Sequence, residues 1–99
     1  MKYNKKLLVP YEEVLAEELR DPSFRVVWEA EEAKRKVIST LIGQRIKRKL
    51  TQAQLAHRAG IKQPSLARVE SGSVMPSLSL LNKLAKALNS SLEIRFIGA

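Results

Sequence analysis

The spacing of apolar residues predicts a mainly helical chain that begins with two amphipathic helices. Pro10 can open the first helix, and Asp21-Pro22 ends it, because the residue before a proline is disfavoured in the helical region. The same Asp-Pro pair caps the second helix. The apolar face of the first helix consists of Tyr11, Val14, Leu15 and Leu19, and that of the second consists of Phe24, Val27 and Trp28. We expect each face to serve either as core or as a docking surface.

Residues 29 to 36 are almost all charged or alanine and predict a solvated helical segment. Glu31 and Arg35 have the spacing and order that favour a helix. The segment either continues into the next apolar face or breaks near residue 33, and the pattern leaves both alternatives open. That next face consists of Ile38, Leu41, Ile42 and Ile46.

The centre of the chain predicts two short helices joined by a tight turn. Thr51 is a suitable N-cap, and Gly60 can adopt the positive φ that ends a helix. Pro64 stands where the second helix begins, since its missing N–H would be unpaired there in any case. The inward-facing residues of the second helix are Leu66 and Val69. Polar side chains therefore lie on its outer face.

The last part of the chain predicts one more helix and then a strand. Pro76 or Ser77 starts the helix, whose apolar stripe has a 3.6-residue period. The stripe consists of Leu78, Leu81, Leu84, Ala85 and Leu88. Beyond it, Leu92, Ile94 and Phe96 alternate with charged residues, as in a strand. A single strand has an unpaired edge, so we expect it to pair with the same strand of a second copy or with a partner's sheet.

Charge divides the chain into two different parts. The 99 residues carry a net charge of +8, but residues 1 to 35 hold seven Lys/Arg against eight Asp/Glu, whereas residues 36 to 99 hold eleven against two. A surface as basic as the second part is typical of proteins that bind a polyanion. The five aromatic residues are dispersed, which argues against a stacking platform for single-stranded nucleic acid.

Several classes of function are disfavoured by composition. The chain has no cysteine and one histidine, so it predicts no zinc finger, disulfide framework or thiol nucleophile, and we expect neither a metal nor a cofactor. His57 has no partners for a catalytic triad, so we expect no enzymatic activity. The N-terminal MKYNKKLLVP lacks the long apolar region of a signal peptide, and no run is long enough for a membrane span. These features predict a cytoplasmic protein that does not associate with membranes.

The stretch TQAQLAHRAGIKQPSLARVESG, residues 51 to 72, resembles the Xre/Cro/phage-repressor helix-turn-helix family nearly position for position, and the resemblance covers about residues 38 to 88. In that family a TQxxLA helix, a Gly-aliphatic turn, a glutamine-led recognition helix and a closing E-x-G recur together. The resemblance implies an all-α fold in which residues 36–90 form a five-helix, lambda-repressor-like DNA-binding domain. Residues 1–35 would form an N-terminal helical extension and residues 91–99 a short C-terminal β-strand.

The same resemblance implies that the protein binds double-stranded operator DNA. Gln63 and Ser65 match the family's base-contacting positions, although both could instead only cap the helix. Gln52 matches the phosphate-binding glutamine, and Arg45 with Glu70 matches an internal ion pair of structural role. The expected DNA-binding residues are Gln52, Lys62, Gln63, Ser65, Arg68, Lys47 and Lys49.

For Lys47 and Lys49 a second interpretation is open, and Lys62 differs from the family's usual residue. Lys47 and Lys49 belong to a basic run that is either a solvated face or adjoins the DNA surface. Lys62 departs from the family, in which serine or threonine is the more usual N-cap at this position.

The flanks of the helix-turn-helix resemble the HigA-type antitoxins of bacterial toxin–antitoxin pairs. The resemblance rests on the Asp-Pro-Ser-Phe start, the charged helix leading into IGQRIKRKLTQAQLA and the terminal LEIRFI. It implies an antitoxin that neutralises a RelE/HigB-like ribonuclease toxin and represses its own operon. Because one short recognition helix reads too few bases for useful specificity, we also expect the protein to bind DNA as a homodimer. The expected toxin-binding residues are Tyr11, Leu15, Leu19, Phe24, Val27 and Trp28.

Other readings of the chain remain open at this point. The N-terminal apolar residues could fold back on the core, and the chain could be a stand-alone, phage-like repressor. A scaffold protein that does not bind DNA would leave the division of charge unexplained.

Overall fold

The computed structural model of the protein describes residues 10 to 98, and in this part of the chain all regular structure is helical. The helices are α1 (Tyr11–Glu18), α2 (Pro22–Lys47), α3 (Gln52–Ala59), α4 (Gln63–Ser71) and α5 (Leu78–Ala87). The chain divides into two compact units, Met1–Ala33 and Lys34–Ala99. Most of the N-terminal segment considered above as a signal peptide lies outside the described residues.

In the first unit, α1 and the beginning of α2 are joined by a turn that Asp21 organises. Its Oδ1 accepts hydrogen bonds from the backbone N–H of Ser23 at 2.9 Å and from the Ser23 hydroxyl at 2.7 Å. These bonds favour the charged carboxylate and hold the pKa of Asp21 below its ordinary value. Asp21 therefore caps α2, as its place before Pro22 predicts. No residue of α1 is buried.

The charged segment does not interrupt α2, which is one continuous helix of 26 residues. The break considered near residue 33 is absent. Neither glycine nor proline occurs between residues 23 and 42, so nothing in this stretch removes a backbone donor or favours a non-helical conformation.

The core of the second unit lies beneath α3, which packs against both α4 and α5. Leu55 and Leu66 are fully buried, and Val69 and Leu84 nearly so. The buried cluster consists of Leu41, Leu50, Leu55, Ala56, Leu66, Val69, Leu84 and Leu88. Each helix that lies wholly within this unit, namely α3, α4 and α5, therefore directs one apolar face inward, as the spacing predicts.

Local capping fixes where α3 and α4 begin and end. The Thr51 hydroxyl accepts from the backbone N–H of Gln54 at 3.1 Å, and the Gln54 side chain accepts from the Thr51 N–H at 2.9 Å. This capping box satisfies two donors at the start of α3. Gly60 and Gly72 end α3 and α4 with φ values of 70° and 79°, a conformation that favours glycine.

Three expectations from the sequence need correction. The C-terminal β-strand is wrong for the single chain: residues 91–98 form no strand, because no second strand lies beside them to complete a ladder. The five helices are those of the whole described chain, so residues 36–90 contain the end of α2 and three complete helices. Leu78 does not join the core stripe and is 61% exposed, because it lies in the first turn of α5.

Candidate DNA-binding site

The N-terminal end of α4 presents polar side chains on the outside of the second unit. Lys62, at the N-cap position, Gln63 and Arg68 are exposed, and Ser65 is half-buried. The Lys62 side chain makes no capping hydrogen bond, so its charge is not used to start the helix. The opposite side of α4 is anchored in the core by its buried apolar residues. This arrangement fixes the helix while leaving its polar edge accessible.

A hydrogen-bonded chain of side chains links the start of α4 to the start of α3. The Gln63 Nε2 donates to the Gln52 Oε1 at 2.9 Å, and the Gln52 Nε2 donates to the Glu70 Oε1 at 3.0 Å. Gln63 is therefore held against α3 and does not serve as a helix cap. Because an amide nitrogen carries two protons, the second N–H and the Oε1 of Gln63 remain for a base edge. That pair of groups matches the acceptor and donor that adenine presents in the major groove.

The series of hydrogen bonds ends at Glu70, which forms an ion pair with Arg45. This ion pair confirms the expected pairing. Arg45 Nε and Nη2 donate to Glu70 Oε2 and Oε1, each at 2.9 Å. Its third nitrogen, Nη1, donates to the Leu50 carbonyl oxygen at 2.9 Å. The side chains are only 15% and 5% exposed, so the pair is a structural support for Gln52.

The basic run at the end of α2 divides into exposed and structural members. Lys47 and Lys49 are exposed, and Lys49 adopts a φ of 56° after the helix ends. Arg48 is half-buried instead and hydrogen-bonds to the Gln44 side chain and, at 3.3 Å, to the Ser90 hydroxyl. Only the two lysines therefore present charge outward from this run.

Two contributions to the site do not follow from the sequence pattern. Lys34 Nζ donates to the Gly72 carbonyl oxygen at 3.1 Å, which places a positive charge at the negative end of α4. Glu70 also accepts from Gln52, so it serves two partners at once. Both contacts join residues that are far apart in sequence, and no local spacing signals them.

If Gln63 reads bases, as the family resemblance implies, its substitution by alanine is expected to weaken operator binding by about 1–3 kcal/mol, with little loss on random DNA. Fluorescence anisotropy titrations on both DNAs at one salt concentration measure the two losses. Lys62→Ala is the matched control, since loss of a phosphate contact weakens both DNAs and lowers the salt slope by about one. Equal losses for Gln63→Ala on the two DNAs would contradict base reading.

The expected toxin-binding residues lie in the first unit, and the structure shows how exposed each one is. Tyr11 and Val27 are 65% and 61% exposed. The half-buried members of the set are Leu15, Leu19, Phe24 and Trp28. Much apolar surface is thus accessible on this unit.

Among residues 10 to 98, no helix is both long enough and apolar enough to cross a membrane. In the same part of the chain, no three acidic or histidine side chains come together to form a metal-binding group.

Comparisons with known proteins place these features in a family. The helix-turn-helix family model matches residues 43–94. Antitoxin HigA1 of Mycobacterium tuberculosis H37Rv is 35% identical over 74 residues, which are 75% of this chain and 50% of that protein. The chain thus spans about half the length of this relative.

Two further similarities extend over more of the compared chains. An uncharacterised HTH-type transcriptional regulator of Haemophilus influenzae is 36% identical over 78 residues, covering 79% of this chain and 70% of that protein. A solved toxin–antitoxin module from Streptococcus pneumoniae has a TM-score of 0.63 and 24% identity, and the match covers 96% of this chain and 100% of that one. The latter shows a shared fold. Together with the capped α3, the turn at Gly60 and the outward polar edge of α4, these matches establish that the chain belongs to the Xre-type helix-turn-helix family.

Proposed function

We propose that the protein is the antitoxin of a toxin–antitoxin pair, which represses its own operon and neutralises a RelE/HigB-like ribonuclease. The observation that carries the DNA-binding half of this proposal is the pair of side-chain hydrogen bonds that joins Gln63 to Gln52 and Gln52 to Glu70. It holds a base-reading group in a fixed position on a helix that is otherwise anchored by its apolar face. Fixed side chains lose less conformational freedom on binding, which favours specific recognition.

Exposed positive charge in the second unit supports the same role. Lys62, Arg68, Lys47 and Lys49 are exposed, and residues 36–99 carry a net charge of +9. Phosphate neutralisation by such residues supplies sequence-independent affinity, while Gln63 and Ser65 supply discrimination between bases. Gln52 would bind a phosphate with the N–H groups at the start of α3.

Toxin binding is assigned to the first unit. Its apolar residues include the exposed Tyr11 and Val27, and α1 carries Glu12, Glu13, Glu17 and Glu18 beside them. A ribonuclease must be basic to hold RNA, so these carboxylates would steer association while the apolar side chains become buried. The likeness to Antitoxin HigA1 supports a toxin as a partner of this chain.

The DNA-binding species is proposed to be a homodimer. One short recognition helix reads few base pairs, whereas two related by a two-fold axis read a palindrome. The half-sites would lie about one helical turn, ~34 Å, apart.

A stand-alone, phage-like repressor is the alternative function. The HTH-type regulator of Haemophilus influenzae supports it, because the likeness extends over most of both chains. In that case the first unit would serve dimerisation only and bind no toxin.

The experiment that separates the two functions uses the gene next to this one. If it encodes a small basic protein, that protein is expected to cleave RNA in a cell-free translation extract and to lose this activity when the present chain is added in equimolar amount. A neighbouring product that neither cleaves RNA nor binds this chain would leave the stand-alone repressor as the better account.

A further inference from the structure

The segment after α5 is apolar and exposed to solvent. Phe96 and Ile97 are almost completely exposed, and Ile94 is 57% exposed. Neighbouring apolar side chains that are left in water form a surface on which another apolar surface can pack.

The segment also has two chemically different sides. Arg95 Nε lies 2.5 Å from Glu93 Oε1, so these two side chains are on one side of the backbone. Residues two apart share a side when the backbone is extended, so in that conformation Leu92, Ile94 and Phe96 would lie together on the other side. An extended segment would then have one charged side and one apolar side.

An apolar groove lies next to this segment in the second unit. Its cavity volume is about 390 Å³, and it runs between α2 and α5 up to Leu92. Its apolar lining includes Val37, Leu41, Leu81, Leu88 and Leu92. A large apolar side chain entering from outside would be removed from water here.

The order of charges makes the segment complementary to itself. In an antiparallel pair with a two-fold axis at Ile94, Glu93 of one copy faces Arg95 of the other, and this pairing occurs twice. Leu92 of one copy faces Phe96 of the other on the apolar side. A shift of the axis by one residue, to Glu93 or to Arg95, would place two like charges opposite each other while the apolar sides still coincide, so the charges select this register.

We propose that residues 92–96 pair with the same residues of a second copy about a two-fold axis at Ile94, and that each Phe96 enters the groove of the other copy beside Leu92. This inference rests on the proposed dimer and identifies the surface that forms it. The occupant is a second copy and not another protein, because the sequence Glu-Ile-Arg provides its own complement.

The first test uses a crosslink in the full-length chain, which has no cysteine of its own. In Ile94→Cys the two new thiols face each other across the axis, with Cα atoms about 4.5–5.5 Å apart, within reach of a disulfide. In the control Ile97→Cys they are about 20 Å apart. Mild oxidation is expected to give a covalent dimer of Ile94→Cys at least tenfold faster than of Ile97→Cys. Equal rates, or no crosslink at position 94, would overturn the proposed pairing.

The second test exchanges charges between copies. Glu93→Arg alone and Arg95→Glu alone place like charges opposite each other and are each expected to dimerise at least tenfold more weakly in analytical ultracentrifugation. An equimolar mixture restores both opposite-charge pairs, but only between different variants, so heterodimers should form with nearly the original affinity. A mixture that stays as weak as its components would overturn the inference.

The same variants separate this inference from the proposed function. If wild-type protein is dimeric and binds operator while the crosslink and the mixture both fail, the dimer stands and its surface lies elsewhere. If wild-type protein is monomeric in solution and on DNA, the dimer itself is wrong and this inference falls with it.

Discussion

Replacing Arg45 by alanine is expected to lower the free energy of unfolding by about 3–5 kcal/mol, because it leaves the Glu70 carboxylate in the interior with no cation beside it. Glu70 is only 5% exposed, and Arg45 supplies two of its hydrogen bonds as well as one to the Leu50 carbonyl. Urea unfolding followed by circular dichroism measures the loss.

Arg58→Ala is the matched control, since Arg58 is exposed in the last turn of α3. Its loss should change stability by no more than about 0.5 kcal/mol. If Arg45→Ala destabilises the protein by no more than this control, Arg45 and Glu70 do not support the site as described.

Val27→Asp is expected to weaken the complex with the proposed toxin by at least about 2 kcal/mol, roughly 30-fold in Kd, because an unpaired carboxylate would be buried in the interface. Val27 is 61% exposed in the free chain, so the substitution should leave the fold intact. The change adds negative charge, and steering onto a basic toxin is therefore not reduced. Isothermal titration calorimetry with the purified toxin measures the effect.

Val26→Asp is the matched control for Val27→Asp. Val26 is the neighbouring residue, has the same side chain and is 68% exposed, but it lies outside the proposed docking surface. It should bind the toxin as the wild type does. Equal losses for the two variants, or none for Val27→Asp, would place toxin binding elsewhere.

The capped helices were predictable because their signals are local. Thr51 and Gln54 lie one turn apart and cap α3 within four residues, and Gly60 ends it with a positive φ. Such features depend on backbone geometry at a few adjacent residues, so the sequence alone was enough to locate the helix-turn-helix.

The arrangement of the site was only partly predictable. Gln52, Gln63 and the pair of Arg45 with Glu70 were each expected from family resemblance, but their connection into one chain of hydrogen bonds was not. That connection joins side chains 11, 18 and 25 residues apart, and it depends on how α2, α3 and α4 pack. Arg48 lies between Lys47 and Lys49 in the sequence, and its hydrogen bond to the Ser90 hydroxyl likewise joins residues far apart that no local pattern signals.

The strand expected after α5 shows that an alternating sequence pattern alone does not establish a strand. Alternation of Leu92, Ile94 and Phe96 describes two faces but supplies no hydrogen-bonding partner, and the single chain provides none at residues 91–98. For α2 the sequence left a continuous helix and a break near residue 33 both open, and the structure shows the continuous helix.

The most direct test of DNA recognition by this chain is an anisotropy titration against DNA from immediately upstream of its own gene and against the same bases in shuffled order, at one physiological salt concentration. The proposed function predicts binding to the upstream DNA at least about 10³-fold tighter than to the shuffled DNA, with two chains bound per site. Equal affinity for the two DNAs would contradict it.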